Sequence, residues 1–282
     1  MTHPSVTASQ HQREERACEE QESQSVNTTP RPQGLYGIFV EIFASGWYCT
    51  HPDYGGCEQA GNSFSYFTVL TYWGLAFYNL TAAVHTFTYA RTGTPLLDRF
   101  PRALQALHAF YYTTVTTYPF IVTAVYWGVI FPGVWFADEF SGWSNMSQHA
   151  LNSAFALFEI VVPRTPLPPW IHALWLIVVL ALYLSLAYVT HATKGFYTYT
   201  FLDIEKQGSA ITAAWIIAIA VAAVVIYLLV RGLLWLRLWL TEKKAGMDGR
   251  FAGQPAALRS TADVELGSYR NDETKTISPH HY

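Results

Sequence analysis

The stretch SQHALNSAFALFEIVVPR, Ser147–Arg164, is apolar enough to enter a bilayer, yet it carries His149, Asn152 and Glu159. Each residue of an α-helix turns the chain by about 100°. Measured from His149, Asn152 falls roughly at −60°, Ala156 roughly at −20° and Glu159 roughly at −80°. A helix here therefore has one polar stripe on an apolar cylinder. Ionisable groups are costly in hydrocarbon, so in a span they face the interior of a bundle and mark functional sites. The stretch reads as an inward-facing helix of a multi-helix membrane protein.

The rest of the chain agrees. Of 282 residues, 51% are apolar and only 13% charged, against about 25% charged in soluble domains. No Lys or Arg lies between Gly34 and Ala90, and Asp, Glu, Lys and Arg are all absent between Ala103 and Ala137. Runs of about 20 apolar residues are what a hydrocarbon core of ~30 Å requires. The sequence predicts an all-α polytopic membrane bundle of six transmembrane helices: Leu35–Tyr48, Tyr66–Tyr89, Leu107–Phe131, Met146–Val162, Trp170–His191 and Ile211–Leu234. The first and fourth are short, the first contains Glu41, and Pro119 in the third removes a backbone donor and predicts a kink. Residues 1–33 and 241–282 are polar and aperiodic, and read as disordered tails around one transmembrane domain over residues 34–240. The N-terminus lacks the apolar core of a signal peptide.

Basic residues orient the helices, because cytoplasmic loops carry the excess of Lys and Arg. Arg91, Arg99 and Arg102 follow the second span, Arg164 follows the fourth, and Arg231, Arg237, Lys243 and Lys244 flank the sixth. The loops after spans one and three hold only acids, Asp53, Glu58, Asp138 and Glu139. Both tails are thus expected in the cytoplasm, in the endoplasmic reticulum or plasma membrane. Cys49 and Cys57 flank the loop CTHPDYGGC on the opposite side, where an oxidising compartment permits a disulfide; two free thiols are the alternative. Asn145-Met-Ser is a glycosylation sequon on that same side, close to the membrane.

The second span carries a stripe of its own. Thr71, Tyr78 and His85 recur every seven residues, with the small residues Gly74 and Ala82 near the same line. The topology puts Thr71 and His149 within ~3 Å of each other in depth, near the outer boundary. A hydroxyl and an imidazole at one level suit a nucleophile and its general base. The plainer alternatives are that Thr71 bonds the carbonyl four residues back, that His149 only packs, and that Glu159 is protonated by burial.

No serine-hydrolase elbow, phosphate loop or zinc motif is present, so no cofactor or metal is expected, nor a nucleic acid partner. Two other classes compete. His85, His108 and His172 near one side, with His149 and His191 near the other, suit a b-type haem protein. The polar stripes also suit a non-enzymatic scaffold, receptor or transporter.

Leu70-Thr71-Tyr72 at the head of the second span, HALNSAFALFE after the Trp-containing loop SGWSN, and GFYTYTFLD after the fifth span come in a telling order. Over residues 66–203 the chain resembles the androgen-induced-gene family of six-span membrane proteins, which includes the androgen-dependent TFPI-regulating protein. Members of that family are threonine hydrolases of fatty acid esters of hydroxy fatty acids. The resemblance implies Thr71 as nucleophile, His149 as base and a long-chain lipid ester as substrate drawn from the bilayer. Asn152 and Tyr78 are then candidates to orient the imidazole or stabilise the oxyanion, with Glu159 further along the stripe and Thr68 the rival nucleophile. Ala150-Leu151 stands where the family carries a hydroxyl-bearing pair.

Overall fold

The computed structural model describes residues 32–92 and 96–246, and every regular element among them is helical. Four helices come first: α1 (Pro32–Thr50), α2 (Gly56–Ser63), α3 (Phe67–Thr92) and α4 (Arg102–Val125). A π turn, Tyr126–Ile130, prolongs α4. Helices α5 (Glu139–Met146) and α6 (Asn152–Val161) are joined without a break by a second π turn, Ser147–Leu151. Then come α7 (Ile171–Lys194), the single turn α8 (Ile204–Gln207) and α9 (Ser209–Leu238), which a third π turn carries to Lys244.

Two boundaries differ from the sequence expectation. The fourth expected span begins at Met146, but the helical path starts at Glu139, because Asp138 accepts the Ser141 amide at 2.8 Å and caps it there. The whole path, Glu139–Val161, is then about 35 Å long, enough to cross a bilayer. At the other end the tail expected from residue 241 is still helical to Lys244. Arg237 holds it by donating to the carbonyls of Pro163 and Thr165, both at 2.7 Å, and Glu242 meets Arg164 at 2.9 Å. The helix α1 also starts two residues inside the expected N-terminal tail; the remaining tail residues, 1–31 and 247–282, lie outside those described.

By length and composition, α7 and the α9 stretch through Lys244 each qualify to cross a membrane among the described residues. The other long helices are diluted by inward-facing polar groups: Glu41 on α1, Asn79 on α3, three threonines of α4 and the stripe of α6 are all buried. Their outward faces are apolar all the same, with Leu35, Phe39 and Ile42 on α1 and Phe77, Val84 and Phe87 on α3 exposed.

Helix α4 is central. Tyr112 and Val115 join Leu75 and Tyr78 of α3, Ile160 of α6 and Leu234 of α9 in one buried cluster. On its other flank Tyr118 and Ile121 pack with Leu176 of α7 and Ala223 and Tyr227 of α9. In a bilayer such contacts hold by packing and interhelical hydrogen bonds, since lipid tails are as apolar as the side chains. Helix α1 lies against α3 because Gly34 and Gly37 leave room: a Cβ at Gly37 would stand 2.9 Å from that of Ala76, and one at Gly34 would stand 3.0 Å from the Ala76 carbonyl oxygen. Ala76 thus takes the close approach of α1, while Gly74 and Ala82 of the same helix face α4. The loop after α1 is closed by a Cys49–Cys57 disulfide, one of the two outcomes left open by the sequence.

Candidate active site

His149 sits inside the π turn that links α5 to α6. Such single-turn bulges free backbone groups from the regular ladder and recur at functional sites. Here the His149 carbonyl accepts the Thr123 hydroxyl at 2.6 Å and the Trp127 indole at 3.2 Å, both from α4 and its π turn. The imidazole is buried and stacks on Tyr126, with ring centroids 3.6 Å apart. Its Nδ1 lies 3.1 Å from the Asn145 carbonyl. A carbonyl only accepts, so Nδ1 carries the proton and Nε2 is left with its lone pair. Among the described residues Nε2 has no hydrogen-bond partner. A histidine held by its backbone, by a ring and by one nitrogen, with the other nitrogen available, is arranged as a general base.

The rest of the α6 stripe faces inward as expected: Asn152, Ala156 and Glu159 are fully buried. Asn152 donates to the Gln148 carbonyl at 3.1 Å, and its Oδ1 is buried without a partner. The backbone carbonyl of Glu159 accepts the Tyr112 hydroxyl at 3.1 Å. Just ahead of the stripe, Gln148 donates to Glu41 at 2.9 Å and Ser147 meets the Tyr36 hydroxyl at 2.9 Å, so the π turn is tied to α1 as well. In the sequence Glu41 marks only an acid inside a short first span. Its signal was a lone acid in an apolar run, which by the same rule as the α6 stripe needs a partner inside the bundle.

The stripe of α3 faces α4. Tyr78 stacks on His108 at 5.6 Å and meets Tyr111 edge-on at 5.3 Å; His85 contacts His108 at 4.8 Å. Thr71 lies with Gly74 in a groove bordered by Thr114 and Tyr118 of α4 and Leu182 of α7. Its hydroxyl bonds its own helix, to the Phe67 carbonyl at 2.9 Å and that of Thr68 at 3.0 Å. Thr71 and His149 share no hydrogen bond in this conformation. Thr68 instead is buried on the wall of a cavity of about 170 Å³ between α4, α7 and α9, and Tyr126 lines that same cavity. Phe67 and Tyr183, with ring centroids 4.9 Å apart, line both spaces and stand between them. Two aromatic rings therefore separate the groove of Thr71 from the cavity lined by Tyr126, the ring on which His149 stacks.

The other histidines are engaged elsewhere. His172 meets the Thr113 hydroxyl at 2.7 Å, and His191 stacks on Tyr197 at 3.7 Å. His149 and His191 are thus packed on different rings, and His85 and His108 touch directly. Among the described residues no three His, Cys, Asp or Glu side chains form a metal-binding group.

No curated protein and no solved structure matches this chain. One family profile does: the FAR-17a/AIG1-like protein family, over residues 36–235. This span runs from the first turns of α1 into the last turns of α9, and it takes in both stripes, the π turn of His149 and the cavity. The chain belongs to the FAR-17a/AIG1-like protein family.

Proposed function

We propose that the protein is a membrane-embedded hydrolase of long-chain lipid esters, with Thr71 as nucleophile and His149 as base. The observation that supports this reading is the state of His149: Nδ1 committed to a backbone carbonyl, Nε2 with no partner among the described residues, and the ring stacked on Tyr126, which itself lines an apolar cavity. Thr71 comes from the family resemblance and from the position of Leu70-Thr71-Tyr72 at the head of α3. Its intrahelical bonds are the resting arrangement of a threonine in a span, and a χ1 rotation releases them. Displacement of Phe67 by an entering acyl chain would join the groove to the chamber.

In the reaction, Thr71 Oγ1 attacks the ester carbonyl while its proton passes to His149 Nε2. The tetrahedral intermediate expels the alcohol, which takes that proton, and leaves an acyl-threonine. Water then attacks the acyl carbon, His149 accepts the water's proton, and collapse releases the acid and returns the proton to Thr71. Asn152 and Tyr78 are the candidate polar supports. Thr68 is a second candidate nucleophile for one specific reason: it shares the cavity wall with Tyr126.

The outward apolar faces of α1 and α3, beside α7 and α9, support a six-span arrangement. The disulfide at one end and the Arg164, Arg237 and Lys243 cluster at the other support cytoplasmic tails. The membrane would be that of the endoplasmic reticulum or the cell surface.

Hydrolysis of a fatty acid ester of a hydroxy fatty acid by the purified protein and by Thr71→Ala, Thr68→Ala and His149→Ala tests the scheme. Thr71→Ala and His149→Ala should each lower kcat by about 100-fold or more, and Thr71→Ala should abolish covalent labelling by a fluorophosphonate. Full turnover and labelling by Thr71→Ala would overturn the assignment, and loss in Thr68→Ala alone would move it to Thr68.

A further inference from the structure

Three helix faces converge on the cavity beside Tyr126. Helix α7 contributes Ile177, Ala181 and Leu184, at the spacing of one helical face, and α9 contributes Ile216 and Ala220. Helix α4 and its π turn line it from Ile121 to Ile130, nine steps or about 14 Å, the span of an extended chain of about ten carbons. Deeper in the bundle the space ends on the packed cluster of Leu176, Ala223 and Tyr227. Ala181 is solvent-exposed although it lines the cavity, so the wall is open sideways there, between helices whose outer surfaces are apolar.

The opposite end is different in chemistry. The aromatic run after α7, which the hydrolase scheme leaves without a role, folds over it. Tyr199, Phe201 and Leu202 form the cap, and Tyr199 turns its hydroxyl toward Thr68 and Tyr183. Tyr183 donates in turn to the Ser65 carbonyl at 3.0 Å. Apolar walls, a closed floor and hydroxyls only at the head match a molecule with one polar end and one unbranched tail.

We propose that this cavity is an acyl-chain slot: it takes the first ten or so carbons of the acid half of the ester, with the carbonyl at the capped end beside Thr68 and Tyr199, and longer chains leave through the gap at Ala181. The proposal rests on the ester-hydrolase reading for its substrate, and its test separates the two.

The first measurement needs no turnover. A decanoic acid carrying a terminal diazirine is irradiated with the protein in detergent, and the adduct is located by mass spectrometry. Labelling at Ile177 or Ala220 is expected; labelling confined to outward residues such as Leu174 and Ile217 would overturn the slot. The second measurement compares kcat/KM for decanoyl and butanoyl 4-nitrophenyl esters. Ala220→Phe, which fills the slot, should lower the decanoyl-to-butanoyl ratio tenfold or more, while Ala218→Phe, exposed on the same helix, should not move it. An unmoved ratio in Ala220→Phe overturns the slot even where hydrolysis is robust. Slot labelling without any hydrolysis keeps the slot and defeats the hydrolase reading.

Discussion

The helices around α6 and the α7–α9 pair solve the same burial problem in opposite ways. The first group places Glu41, Tyr72, Asn79, Asn152 and Glu159 in its interior, each no more than 2% exposed. The second buries mostly apolar side chains; His172 and Tyr227 end on a neighbouring hydroxyl or carbonyl, while the Thr212 hydroxyl, Nδ1 of His191 and Nε of Arg237 are its own unpartnered polar atoms among the described residues. Several polar atoms of the first group have no partner among the described residues: the Tyr72 hydroxyl, both ends of the Asn79 amide and Oδ1 of Asn152. Unpaired buried groups cost stability, and native structures keep them where function needs them. On the proposed function, the first half would carry the chemistry and the second would supply a mostly apolar frame around the cavity.

The strongest way to break that contrast is through its histidines. His149→Ala should lower ester hydrolysis by about 100-fold or more; it keeps the bonds its carbonyl accepts from Thr123 and Trp127 and loses the ring stacked on Tyr126. His172→Ala should spare activity. It removes an interhelical hydrogen bond to Thr113, worth about 0.6 kcal/mol by the average for such bonds in membranes, and should leave kcat near wild type. Thermal unfolding and turnover measured on both variants check this together. Equal activity losses in the two would erase the distinction between the halves.

A smaller effect sharpens it. Glu41→Ala leaves the Gln148 amide without its acceptor in the interior and should cost about 1–3 kcal/mol. Leu182→Ala, on the lipid-facing side of α7, should stay within about 0.5 kcal/mol. Asn152→Leu is the more telling case. An apolar residue of similar size removes an unpaired carbonyl oxygen, so stability should hold or rise while hydrolysis falls. A stability loss with unchanged activity would make Asn152 a packing residue and weaken the functional reading of the whole stripe.

The sequence made the polar stripes legible because helical periodicity is a local property: residues seven apart share a face whatever surrounds the helix. It predicted that the α6 stripe faces inward, and it does. It could not say which neighbour each stripe meets. The α3 stripe meets α4, since Tyr111 and His108 reach it first, and two aromatic rings from α3 and α7 stand between Thr71 and the cavity lined by Tyr126. Depth along the membrane normal follows from topology; lateral order in the bundle depends on side-chain packing between residues far apart in sequence. Glu139–Met146 was missed for a local reason. Its polar, small residues look like a loop, and the readable signal was Asp138 itself, a capping residue ahead of an acidic first turn.

That cap gives the smallest prediction, at the edge of the polar half. The Ser141 amide donates to the Asp138 carboxylate, and hydroxyls of Ser141 and Tyr54 add to it, so the carboxyl is held below the usual aspartate range. A depressed folded pKa means that the stabilisation is complete above the unfolded value, about 3.9, and is lost only as pH falls through the folded one. Asp138 should therefore contribute a constant amount from neutral pH down to about pH 5 and lose it below about pH 4. Asp138→Asn keeps a capping oxygen and has no proton to take up, so its Tm should fall less steeply than wild type over the acid limb and match it closely near neutrality. Parallel acid limbs would mean that the helix start at Glu139 is held by packing of Phe140 against Trp47 and Tyr54 rather than by its cap.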